Sequence, residues 1–456
     1  MLKRFFLTTM AICFCMSTAE AGAAQNGLVP DYAKSLQGLS KALVSTKKVM
    51  GAELKTTKIL REHLIGTVYH YAVDLQVGPG EFDKIRMHRI VKEQRPWLPI
   101  KTKECIMTIN GDLSNFNCLF MGSHFSNAVP EGYSLGVYLA EKNVDVWGLD
   151  QRWALVPEDV TDFSFMRNWD TALHLKDIQT VTKLCRYMRL AEGNGYKKIL
   201  MLGMSRGVQY LFAYADAETQ VPQYERDLKG IIPIDMAYKY EKQASKEAAL
   251  VRYQVFKALY DAGVYYSSDG AGIKYLAYLA AAQPEEPSET IPGFNNKQAF
   301  LFTAAATYAT FPPPMEPYEP FYHNLAGLFD DDGIPIGLQF TDYDYVLDLA
   351  LEIPPYQSLA EMIDGEAITS GLVENPYDDH LNAITIPVFY IGAAGGEGEP
   401  GSYVLTLLGS QDKKMLVIGL YPPEAVALDF GHGDLLWAGN AKQLVWKPIY
   451  QWIKQH

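Results

Sequence analysis

The chain has 456 residues, 48% of them apolar and 12% aromatic, with 36 Gly and 25 Pro. That content excludes a disordered chain, and the lack of a Gly period excludes a collagen. With 40 basic against 53 acidic residues and a net charge of −13, no nucleic-acid surface is expected, because gripping phosphates needs a surplus of Lys and Arg.

The chain opens on a pattern that reads as a secretory signal over residues 1–23. Lys3 and Arg4 precede the apolar run Phe5 to Met16, and Ala19-Glu20-Ala21 and Ala21-Gly22-Ala23 both offer small-x-small cleavage sites. The run is shorter than the roughly 20 residues a spanning helix needs. The expectation is an exported chain, periplasmic or secreted, without a stable membrane anchor. Cys13 and Cys15 would leave with the signal. Of the rest, Cys105 and Cys118 could bridge, Cys185 reads as a small buried hydrophobe, and no Cys/His spacing resembles a zinc site.

Gly66 to Leu75 and Lys84 to Lys92 read as a hairpin around Gly78-Pro79-Gly80, the antiparallel start of a sheet. Glu104 to Ile109 is a strand running into Asn110-Gly111-Asp112. Ser134 to Asn143 has helical apolar spacing, and a strand begins at Asp145. Ile199 to Leu202 is a short continuous apolar run, as a strand buried on both faces should be. Gly203-Met204-Ser205-Arg206-Gly207 follows, a G-x-S-x-G match between that strand and an apolar helix. In this arrangement the serine sits on a strained turn, and the glycines let strand and helix approach each other. Leu228 to Ile234 is the next strand, ending at Asp235.

From residue 236 to 383 the strand-helix pattern stops. Helical stretches come first, Lys239 to about Ala262 and Ile273 to Ala282, then a Pro-rich aromatic passage from Thr310 to Tyr322. The region 236–382 holds 15 of the 29 Tyr. Asp330-Asp331-Asp332-Gly333 lacks the spaced ligands and closing Glu of a cation loop and reads as a turn. The pattern resumes at Ile386 to Ile391, followed by a Gly-rich run carrying Glu397 and Glu399. Met415 to Leu420 is the last strand. His432, flanked by Gly431 and Gly433, precedes a closing helix from Ala441 to Ile453. It is the histidine whose place in the element order suits a general base delivered late to the serine.

In their shared order these segments resemble the α/β-hydrolase superfamily, and within it the acid-lipase and esterase branch, over roughly residues 65–235 and 384–456. The resemblance implies a mostly parallel sheet flanked by helices. It divides the chain into a first core part (24–235), a large, mainly helical cap insertion (236–383) and a second core part (384–456). It implies a serine hydrolase acting on carboxylic esters, without metal or organic cofactor, on a small-molecule or lipid-like substrate. Ser205 would be the nucleophile and His432 the base. Two departures stand out. The family's His-Gly is Asn110-Gly111 here, so the oxyanion donors are expected at the backbone N–H groups of Asp112 and Arg206, with the Asp112 carboxylate a liability unless paired. The usual acid position holds no Asp, leaving Asp235, favoured because strand ends position side chains firmly, with Glu397 and Glu399 as alternatives. The Tyr-rich insertion suits lipophilic or aromatic substrates or else simply packs its own interior. Amide or peptide hydrolysis, and a ligand-binding protein on a hydrolase scaffold, stay open.

Overall fold

A computed structural model describes residues 54–456 apart from 312, 313, 316 and 317; the segment read as a signal lies outside them. Nine strands order the molecule: β1 (Lys55–Ile65), β2 (Val68–Gln76), β3 (Lys84–Arg95), β4 (Cys105–Ile109), β5 (Asp145–Asp150), β6 (Ile199–Met204), β7 (Leu228–Ile234), β8 (Val388–Ala393) and β9 (Lys413–Ile418). They form one sheet in the order β1-β2-β3-β5-β4-β6-β7-β8-β9, with the two-residue strand Leu98–Pro99 paired to β3. The first three strands and the β3–β5 pairing are antiparallel, and from β5 to β9 every pairing is parallel. The expected hairpin is present. A further strand, β1, precedes it, and its charged sequence hid it because one edge faces water.

The continuous apolar strands divide by residue parity. Ile106, Val146, Leu200, Leu202 and Ile232 point to the face covered by α1 (Leu135–Glu141) and by the closing segment. Met107, Trp147, Met201 and Ile231 point to the face covered by α2 (Thr171–Ala191) and α3 (Arg206–Thr219). Alternation in a strand with both faces covered leaves no polar position, so period two is invisible in the sequence. Each such side chain taken fully out of water contributes roughly 1.5–3 kcal/mol.

Between β7 and β8 lie α4 (Gln243–Asp261), α5 (Asp269–Ala282), α6 (Asn296–Ala305), α7 (Tyr343–Glu352) and α8 (Leu359–Ser370). α4 packs along α8, and α5 against α6 and α7. Asp330 accepts the Asp332 and Ile334 N–H groups at 3.1 and 2.8 Å, the turn of a small hairpin. The closing segment begins with a π-helical turn, Lys442–Trp446, before α9 (Lys447–Gln455). No helix among the described residues is long and apolar enough to cross a membrane.

Cys105, Cys118 and Cys185 are free and buried. The open Cys105–Cys118 pairing does not form, because the two lie on opposite sides of the sheet. Cys105 packs with α2, its sulfur 3.7 Å from that of Cys185, whereas Cys118 sits in the short helix Phe116–Phe120.

Candidate active site

Strand register brings the chemistry together. Ile109 is level with Gly203, Met204 with Ile234, and Ile234 with Ile391. The residues that follow each strand therefore emerge at one carboxyl edge, where open parallel sheets bind ligands. Ser205 N–H donates to Ile234 O at 3.0 Å, and Asp235 N–H to Ile391 O at 2.8 Å.

Ser205 has φ 56° and ψ −128°, a conformation side chains rarely adopt. Its neighbours make the turn possible by lacking side chains. A methyl at Gly203 would overlap the Gly207 carbonyl, one at Gly207 would overlap Ile109 O, and one at Gly111 would lie 2.5 Å from Ser205 Cβ.

His432 Nδ1 lies 2.7 Å from Asp235 Oδ2. Asp235 is fully buried and cannot accept from water, so its other bonds come from the backbone: Ala393 N–H at 2.8 Å and Glu397 N–H at 3.3 Å. With Nδ1–H donated to the carboxylate, Nε2 is left as the basic lone pair. The rival carboxylates are placed elsewhere. Glu397 accepts from Tyr240 Oη at 3.1 Å, and Glu399 is exposed on the short helix Gly398–Ser402. The Gly-rich run cradles Asp235: a methyl at Gly396 would overlap its Oδ2.

The loop carrying His432 is braced from both ends. Asp429 accepts the Leu420, Tyr421 and Phe430 N–H groups at 2.8, 3.1 and 2.7 Å. Asp434 accepts from Gly431 and Ala326 N–H, both at 2.8 Å, and from Thr341 Oγ1 at 2.6 Å. Burial pushes Asp434 up to about 6. His323 and Asn324 also hold this loop, their carbonyls accepting the His432 and Gly433 N–H groups at 3.2 and 2.7 Å. Nothing in the sequence marked them, since the contacts join segments 109 residues apart.

Asp112 is paired. Arg206 Nε donates to its two oxygens at 3.0 and 3.2 Å, and Gln357 Nε2 donates to Oδ1. Arg206 N–H opens α3, where first-turn N–H groups have no intrahelical acceptor. Gly365 of α8 makes room for the Arg206 guanidinium, which a Cβ there would overlap. Beside His432 the Tyr322 ring lies edge-on at 5.3 Å, followed by Tyr318 at 5.9 Å from Tyr322 and Phe311 at 4.6 Å from Tyr318.

No protein-family model matches the sequence, and no curated protein does. Among solved structures, a candidate lipase from Sulfolobus solfataricus superposes with a TM-score of 0.60 at 16% identity, covering 88% of this chain and 99% of that one. The chain has the α/β-hydrolase fold. A soluble variant of monoglyceride lipase from Saccharomyces cerevisiae, solved with a substrate analogue, matches with a TM-score of 0.40 at 13% identity over 88% of this chain and 96% of its own. A thermophilic esterase from Thermogutta terrifontis reaches 0.37 at 14% over 88% and 99%. At the carboxyl edge of this sheet Ser205 and Asp235 follow adjacent strands, and His432 meets Asp235.

Proposed function

We propose that the protein is an exported serine hydrolase that cleaves carboxylic esters of lipophilic or aromatic substrates through an acyl-enzyme. The observation that carries this reading is the His432–Asp235 contact of 2.7 Å at the strand edge that bears Ser205 on its positive-φ turn. In the mechanism, His432 Nε2 takes the Ser205 hydroxyl proton as Oγ attacks the ester carbonyl, and returns it to the departing alkoxide. Water then repeats the sequence on the acyl-enzyme. Asp235 holds the imidazole tautomer and stabilises the imidazolium. The Asp112 and Arg206 N–H groups receive the oxyanion. Pairing of Asp112 with Arg206 and Gln357 removes the repulsion that a bare carboxylate would exert there.

The ring series Tyr322, Tyr318 and Phe311 supports the substrate class, because it offers apolar area that starts at the imidazole. The insertion 236–383 would act as the cap that carries this wall, and residues 1–23 as the cleaved export signal. Wild-type protein should take a fluorophosphonate label at Ser205, and Ser205→Ala or Asp235→Asn should lower kcat on p-nitrophenyl esters by about 10³-fold or more. Absence of label on Ser205, or near-normal turnover in Asp235→Asn, refutes the mechanism. If acetate is cleaved far better than longer or aromatic acyl esters, the substrate class is wrong. Finding residues 1–23 still attached to protein recovered outside the cytoplasm overturns the cleaved signal.

A further inference from the structure

A line of buried polar groups leads away from the oxyanion loop, and the mechanism above does not use it. Asn110 Nδ2 donates to Asp150 Oδ1 at 2.9 Å, and Phe116 N–H donates to the same oxygen at 2.7 Å. These donors flank Gly111 and Asp112, so Asp150 ties down both ends of the segment assigned to the oxyanion. The other oxygen, Asp150 Oδ2, meets His88 Nε2 at 2.8 Å. His88 Nδ1 meets His70 Nε2 at 2.9 Å. Beyond it, His70 Nδ1 faces Glu62 Oε2 at 3.5 Å, and Glu62 Oε1 lies 2.9 Å from His124 Nε2 near the surface. His70, His88 and Asp150 are all at most 3% exposed. Phe116 stacks on His88 at 4.4 Å and seals the row.

Donor and acceptor accounting favours one arrangement of protons on this pair. If both rings were neutral and His88 Nε2–H served Asp150, then His70 Nε2–H would serve His88 Nδ1. The bare lone pair of His70 Nδ1 would then confront the Glu62 carboxylate. The opposite tautomer sets the His88 Nε2 lone pair against Asp150 at 2.8 Å, which is worse. One added proton resolves the conflict. His88 as imidazolium donates to Asp150 and to His70 Nε2, and His70 keeps a proton on Nδ1 directed at Glu62. Two cations side by side would be unfavourable, and burial, against the pull of Glu62 and aided by the His88 charge, pushes His70 down to about 4. Burial would raise Asp150, but the His88 charge and hydrogen bond, together with the Phe116 N–H and Arg86, hold it below the ordinary carboxylate range. Among the described residues, the other titratable groups facing the row are Arg86, itself paired with Asp74 at 2.5 Å, and His124 beyond Glu62.

We propose that Asp150, clamped by a His88–His70 pair that shares one proton, is the positioning residue of the oxyanion loop. This inference rests on the serine-hydrolase reading. Its effect runs through Asn110 and the Phe116 N–H: if that hold loosens, the Asp112 N–H no longer meets the developing charge, while ground-state substrate binding is largely untouched.

The test compares Asp150→Ala with Asp150→Asn. The alanine variant removes the common acceptor and should lower kcat about ten- to a hundredfold with KM changed less than about twofold. The asparagine variant keeps an acceptor for Asn110 and Phe116 and can donate to His88 Nε2, so every ring nitrogen is satisfied with both imidazoles neutral. It should recover most of the kcat and lose the pair's positive charge, read by ¹⁵N NMR of the histidine rings. In wild-type protein the same NMR measurement should show one cationic and one neutral ring, a readout independent of whether the alanine variant folds. Wild-type kcat in Asp150→Ala, an Asp150→Asn variant as impaired as the alanine one, or two neutral or two cationic rings in wild type overturns the inference. Failure of Ser205 to take the fluorophosphonate is a separate result that strikes the hydrolase reading and leaves the NMR test standing.

Discussion

Glu397→Gln should make the protein more resistant to alkaline pH. Glu397 is 2% exposed, its Oε1 accepts from Tyr240 and its Oε2 has no partner. Burial, and next the Asp235 charge beside it, push it from 4.5 up to about 8. A carboxyl whose folded-state pKa is raised keeps its proton when folded and loses it when unfolded. Between the two values the unfolded state binds fewer protons, so stability falls as pH rises. Between about pH 5.5 and pH 9, this group alone should cost about 3 kcal/mol of wild-type stability. Glutamine keeps the acceptor for Tyr240 and cannot ionise, so that increment should vanish. Urea unfolding of both proteins at the two pH values measures it, because other titrating groups cancel in the difference. At acid pH the variant should be equal or slightly weaker, since its amide N–H groups gain no acceptor. Parallel loss of stability in the two proteins, or a larger loss in the variant, would refute the reasoning.

Two further substitutions probe the frame around the site. Gly111→Ala would bring a methyl to 2.5 Å from Ser205 Cβ and 2.9 Å from Met204 O; it should cost about 1–3 kcal/mol in thermal or urea unfolding and slow fluorophosphonate labelling of Ser205. Asp145→Ala would strand two buried cations. Arg89 reaches Asp145 at 2.8 and 2.9 Å, Arg189 also donates to it, and the carboxylate is fully buried. A loss of about 3–5 kcal/mol in urea unfolding is expected, and a loss under 1 kcal/mol would show that Glu192, 2.7 Å from Arg89, suffices as counter-charge.

The order of elements determined much of the core. A glycine on each side of Ser205, an apolar run before it and an apolar helix after it specify a tight strand-to-helix turn, because few other residue sets permit a side chain at φ 56°. The same order pointed to His432 as the histidine carried behind the last strand. Strand β1 escaped because its exposed edge favours charged residues that read as loop.

Which carboxylate meets the imidazole was decided only by tertiary structure. A strand-end position favoured Asp235 over Glu397 and Glu399 in the Gly-rich run, but order in the chain does not by itself choose among them. The register Ile234↔Ile391 sets β7 beside β8, so the Gly-rich run folds over Asp235 and supplies two backbone N–H groups. The pairing of Asp112 with Gln357 joins residues 245 positions apart, and the row from Asn110 through His88 to His70 crosses three strands. Local sequence fixes backbone conformation through sterics at each residue. Charge partners and proton positions depend on which distant segments share a buried, low-dielectric space, and only the folded chain defines that space.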